Sequence, residues 1–135
     1  MVDLIHEPPH YAGGHPVFPG EQLDYSRYMM FAQGNAFKYL WRYMFKGATA
    51  QDLRKAAFYI NHMGTSDTVP FRDIPRTLAS TLKSSFEEYT ENNECTPNER
   101  MVWELMTMLA EPYAVHYPAW VTYSDALKEF ANDFD

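Results

Sequence analysis

Apolar residues recur along this chain at intervals of three and four. Phe37, Leu40, Trp41 and Met44 stand at i, i+3, i+4 and i+7, the spacing of one buried helical stripe. They predict a helix over about 36–46. Leu53, Ala56, Ala57, Ile60 and Met63 repeat the pattern and predict a second helix reaching about Met63. Leu78, Leu82, Phe86 and Tyr89 mark a helix over 77–92. Val102, Leu105, Met106 and Leu109 mark the next, and Leu127 with Phe130 a last one over about 124–134. A looser stripe of Leu23, Tyr28, Phe31 and Ala32 puts a short helix over 21–32. No segment carries a strong strand alternation, so the predicted fold class is all-α.

The residues between the stripes punctuate them. Asn35, after Gly34, reads as an N-cap, and Gly47 as a C-cap glycine. Thr49 and Asp52 form a T-x-x-D helix start, and Gly64 reads as its stop. So short a connection makes the two helices an antiparallel hairpin. Thr96 reads as an N-cap with Pro97 at the first helical position. Residues 1–20, with four prolines and three glycines, read as an extended, turning arm. Residues 65–76 read as a linker. The expected organisation is a module over 1–64 with an acidic helical extension, 65–135, packed on it as one globular domain.

Composition narrows the classes. A length of 135 residues suits a single modest core. One cysteine, Cys95, excludes an internal disulfide and a cysteine zinc site, and a reducing compartment is the economical reading. The N-terminus lacks the basic-then-apolar order of a signal peptide, and no apolar run is long enough to span a bilayer. A cytoplasmic protein without a membrane partner is expected. The formal charge of −7 argues against duplex nucleic acid. That charge is uneven. Residues 1–64 carry six Lys/Arg against five Asp/Glu, and residues 65–135 carry five against thirteen. An anion therefore belongs to the first half.

Candidate chemistry lies in that half. Lys38, Arg42 and Lys46 at i, i+4 and i+8 line one helix face, and antiparallel pairing brings Lys55 or Tyr59 near Arg42. The alternatives are a solvated basic face paired with Asp52, or a phosphate site with Tyr39, Tyr43 and Tyr59 to stack on a base. Asn35 sits where free helix N–H groups would favour an anion. His10 beside Tyr11 reads as a hydrogen-bonding or proton-transfer pair. His6, His10 and His15 lack partners for a metal set, so no metal ligands are assigned, and His62 and His116 read as structural. The common phosphate loop and hydrolase elbow are both missing.

"PPHY", "GNAFKYLWRYMFKG" and "DLRKAAFYI" resemble a family of small phage proteins labelled domain of unknown function 3310. That family includes a nucleoside-monophosphate kinase of podophages that lacks a P-loop. Pro8, His10, Tyr11, Gly34, Asn35, Lys38, Tyr39, Arg42, Lys46, Asp52, Leu53, Lys55, Ala56 and Tyr59 fit its pattern. Tyr43–Met44 depart from the Ala-Gly often found there, and residues 65–135 have no counterpart.

The resemblance implies a phage-encoded nucleotide-binding protein acting in the infected host cell. Its expected activity is kinase-like phosphoryl transfer, with Mg2+ and a nucleoside triphosphate donor. His10, Arg42 and Lys55 would be catalytic. Tyr11, Asn35, Lys38, Tyr39, Lys46, Asp52 and Tyr59 would bind substrate, Asp52 either pairing or holding magnesium through water. The rival is a non-catalytic sponge that sequesters a host signalling nucleotide and needs no cofactor. A nucleic-acid mimic ranks last. A homo-oligomer is expected, because Phe37, Trp41, Phe45 and Phe58 exceed what one short hairpin covers.

Overall fold

Helix α1 spans Gln22–Ser26, α2 Phe31–Arg42, α3 Thr49–Thr65, α4 Arg76–Asn92, α5 Pro97–Ala110 and α6 Ala119–Ala131. Short 3-10 turns, Pro112–Ala114 and Asn132–Phe134, flank α6. The computed structural model describes residues 14–45 and 47–135. Among them there is no strand, and the fold is all-α. His6, Pro8, His10, Tyr11 and Lys46 lie outside the described residues.

The apolar stripes become one core. Phe37, Leu40 and Trp41 of α2 and Leu53, Ala56, Ala57, Ile60 and Met63 of α3 are buried together with Val102, Leu105, Met106 and Leu109 of α5 and Trp120 and Leu127 of α6. Helix α3 packs most extensively on α6 and next on α2. The buried Ser124 hydroxyl adds a hydrogen bond to the Ala57 carbonyl, 2.9 Å away. Thr96 caps α5 as expected: its hydroxyl accepts from the Glu99 amide, and the Glu99 carboxylate accepts from the Thr96 amide.

Several boundaries differ from the sequence expectation, each for a physical reason. Helix α2 begins at Phe31 and runs through Gly34 and Asn35 without a break. The device that starts it is Gln33, which is fully buried. Its Oε1 accepts from the amides of Met30 and Arg72, and its Nε2 donates to the carbonyls of Arg72 and Leu109. All four bonding positions of the amide are filled. Helix α2 also ends early, at Arg42. Met44 falls beyond it and is exposed, while Tyr43 is buried edge-on against Phe130. Gly47 has no left-handed φ, so it is not a C-cap of the expected kind.

Ala48, not Thr49, is the N-cap of α3. Gly64 does not stop α3; it lies inside it. A Cβ there would meet Trp120 Cβ at 2.8 Å and the Val121 backbone nitrogen at 3.0 Å, so glycine is what lets α6 approach. Helix α6 accordingly starts at Ala119, well before Ser124, with Trp120 fully buried. Helix α1 covers only part of 21–32 and buries Tyr25, leaving Leu23 and Phe31 outside.

The described end of the arm is anchored. Val17 and Phe18 are buried, and the His15 ring packs 4.6 Å from Trp41. His15 Nδ1 accepts from the amides of Val17 and Phe18 at 3.0 and 3.2 Å. The ring is therefore neutral with its proton on Nε2, and burial pulls its pKa down to about 3.

Candidate functional site

Helices α2 and α3 run antiparallel, so their outward faces form one surface. Lys38, Tyr39 and Arg42 come from α2, and Asp52, Lys55 and Tyr59 from α3. The helix period sets this: Lys38 and Arg42 are four apart, as are Lys55 and Tyr59, and each pair shares a face.

The three cations gather at one ring. Lys38 Nζ lies 4.6 Å from the Tyr39 ring centre, Lys55 Nζ 5.3 Å and the Arg42 guanidinium carbon 5.8 Å. Each is within cation–π reach. The carboxylate paired with them is Asp52, whose Oδ2 is 3.6 Å from Arg42 Nε. Asp52 is 2% exposed, and this oxygen makes no hydrogen bond among the described residues. Burial pushes its carboxyl pKa up, while Arg42, Lys55 and Lys38 pull it back down. Three positive charges thus face one buried negative charge.

The arrangement suits an anion. Arg42 Nε pairs with Asp52 across 3.6 Å as an ion pair without a hydrogen bond, and no hydrogen bond occupies its terminal nitrogens among the described residues. A guanidinium steadied at Nε presents its remaining fork to a carboxylate or phosphate. Mg2+ fits this place poorly. Asp52 is surrounded by cations, and among the described residues no three His, Cys, Asp or Glu side chains are grouped to hold a metal.

An aromatic row continues the surface. The Tyr39 and Tyr59 rings are parallel within 8° at 6.2 Å. Phe31 and Phe58 stand edge-on to Tyr59, at 5.9 and 5.3 Å with interplanar angles of 80° and 86°. Phe31 is 75% exposed and Phe58 55%. His62 follows, its ring 4.5 Å from that of Phe58 and its Nδ1 donating to the Phe58 carbonyl.

Of the residues singled out in the sequence, Lys38, Tyr39, Arg42, Asp52, Lys55 and Tyr59 come together here. Asn35 is on the same helix, but it is mid-helix, its amide bonded back to the Phe31 carbonyl at 2.8 Å. It offers no N-cap and no helix-start anion site. Tyr43 cannot stack on a ligand, being 3% exposed against Phe130. His62 and His116 are exposed, so neither is a core histidine. His10, Tyr11 and Lys46 are not among the described residues. Phe31 and Phe58 carried no signal as site residues: Phe31 fell in the loose stripe of the first helix and Phe58 among the apolar surface of the hairpin, and only the packing of α2 on α3 brings both to Tyr59.

No helix among the described residues is long and apolar enough to cross a membrane. No curated protein and no solved structure matches the chain at a significant level. Residues 5–61, which hold α1, α2 and most of α3, match the family described as protein of unknown function, DUF3310.

Proposed function

We propose that the outer face of the α2–α3 hairpin binds the phosphate of a nucleotide. The observation that carries this is the gathering of Lys38, Arg42 and Lys55 around Tyr39 with a single buried carboxylate. Like charges so close repel, in a chain whose net charge is −7. A bound polyanion relieves that repulsion. Arg42 grips two phosphate oxygens, Lys38 and Lys55 neutralise the rest, and Asp52 holds Arg42 in place.

Kinase-like transfer is the activity the family resemblance adds. Its steps require positioning and charge neutralisation, which lysines and an arginine supply. The donor's γ-phosphoryl group passes to a nucleoside monophosphate, giving two diphosphates. Mg2+ would arrive with the donor, because the described residues provide no set to hold it. The pairing of Asp52 with Arg42 favours a second reading, sequestration of a nucleotide without turnover. In the kinase reading His10 would hydrogen-bond a phosphate or move a proton, and oligomerisation of the chain belongs to either reading.

Arg42→Lys tests the site. Lysine keeps the charge beside Asp52 but loses the planar fork. The expected result is a melting temperature nearly unchanged and nucleotide affinity, by calorimetric titration, weakened at least about tenfold, ~1.4 kcal/mol. Equal affinity returns the cluster to a solvated surface. Incubating the protein with ATP, Mg2+ and each deoxynucleoside monophosphate separates the two readings. Multiple turnovers to diphosphate mark a kinase, and binding that saturates without product marks a sponge.

A further inference from the structure

The cationic cluster accounts for one end of the hairpin's outer face and leaves the aromatic end without a role. Phe31 and Phe58 are the two exposed phenylalanines on that face. Both rings stand nearly perpendicular to Tyr59, and although the His62 ring lies 4.5 Å from Phe58, the two phenylalanines remain 75% and 55% exposed. Tyr39, by contrast, is partly buried, parallel to Tyr59 at 6.2 Å and ringed by three cations. It is therefore a poor stacking partner for a base, and the open rings lie further along.

The two ends are in line. Phe31 precedes Lys38 by seven residues, roughly 10 Å of helix axis, and Phe58 follows Lys55 by three, roughly 4.5 Å. A sugar and its phosphates bridge such a separation. We infer that Phe31 and Phe58 form the base subsite of this face, stacking on the flat heterocycle of a nucleotide whose phosphates lie at Lys38, Arg42 and Lys55. The inference rests on the phosphate reading above and extends it to two residues that are not among the positions fitting the family pattern. Recognition by stacking tolerates any base, because every base presents a π-face. Selectivity for phosphate number would then exceed selectivity for base.

A second copy of the chain is the competing occupant, and charge weighs against it. A two-fold contact puts the same patch on both sides. It would bring two sets of Lys38, Arg42 and Lys55 together with only two buried carboxylates between them.

The test uses the full chain with the four deoxynucleoside monophosphates and ATP as probes and deoxyribose 5-phosphate as the base-less control. Wild type should bind the tightest of the five at least about tenfold better than the control. The double variant Phe31→Leu, Phe58→Leu keeps apolar bulk and loses the flat faces. It should melt like wild type, lose about tenfold or more in affinity for that nucleotide, and bind the control unchanged. Phe31→Trp, Phe58→Trp should retain or tighten nucleotide binding. Unchanged nucleotide affinity in the leucine variant overturns the base subsite. So does sedimentation in which that variant passes from dimer to monomer with nucleotide affinity intact, which would make the face a contact between copies. Wild type that binds nucleotide no better than deoxyribose 5-phosphate removes the base subsite and leaves the phosphate site standing. Binding of neither compound removes both.

Discussion

The two faces of the α2–α3 hairpin come from the same two helices and are held by different physics. The inner face is Phe37, Leu40, Trp41, Leu53, Ala56, Ala57 and Ile60, at most 2% exposed. Its contacts are apolar, and losing one large side chain there costs several kcal/mol. The outer face is Lys38, Tyr39, Arg42, Lys55 and Tyr59, joined by ring and charge contacts worth far less. Framework and candidate site lie on opposite sides of one hairpin. Arg42 belongs partly to both, because its Asp52 partner is buried.

The contrast can be broken from either side. Of the substitutions that test it, Gly64→Ala should produce the largest change in stability at neutral pH. The added methyl meets Trp120 and the Val121 backbone, and overpacking of this kind costs about 1–3 kcal/mol. Urea denaturation of the two proteins measures it; an unchanged midpoint would show that α6 is free to move away from α3.

A pH titration of stability gives the next effect. His15 has a folded pKa near 3 against an ordinary 6.5, so below 6.5 the unfolded chain binds a proton that the folded one refuses. Stability should fall as pH drops from about 6.5 towards 3, by up to about 1.4 kcal/mol per unit. Asp52 acts with the opposite sign. Its pKa is raised on folding, so the cost of its ionisation is absent below the ordinary carboxylate range, grows as pH rises from there to the raised value, and is constant above it. His15→Asn keeps an acceptor for the Val17 and Phe18 amides and removes the titration. Its stability should fall less steeply with acid, and an identical slope would place the acid sensitivity elsewhere.

The smallest stability effect belongs to the outer face. Lys38→Gln with Lys55→Gln should leave the denaturation midpoint within about 0.5 kcal/mol of wild type. A loss of several kcal/mol would show that the cluster is part of the framework, and the division between the two faces would fail.

The inner face was readable in the sequence because burial repeats with the helix period. Every apolar residue of the α3 stripe and of the α5 stripe is buried as expected. The start of α2 was not readable. Gly34–Asn35 looks like a break, and what overrides it is Gln33 bonding to Arg72 and Leu109, contacts that no local pattern announces. Gly64 misled in the same way, since a glycine that ends a helix and one that admits a neighbour look alike until Trp120 is placed. At the candidate site, the i, i+4 spacing of Lys38 and Arg42 and the hairpin turn were enough to bring Lys55 to them. The depth of Asp52 was not, because a charge at a helix start reads as exposed.

Gln33 also orders events in time. A chain emerging from the ribosome has made Lys38, Arg42 and Lys55 long before it has made Arg72 and Leu109. The hydrophobic stripe of α2 exists from the start, but the amide that fixes the helix's first turn waits for partners 39 and 76 positions downstream. Of its bonds only the one from the Met30 amide is local. The Gln33 amide therefore completes its four bonds only once the chain has been made as far as Leu109.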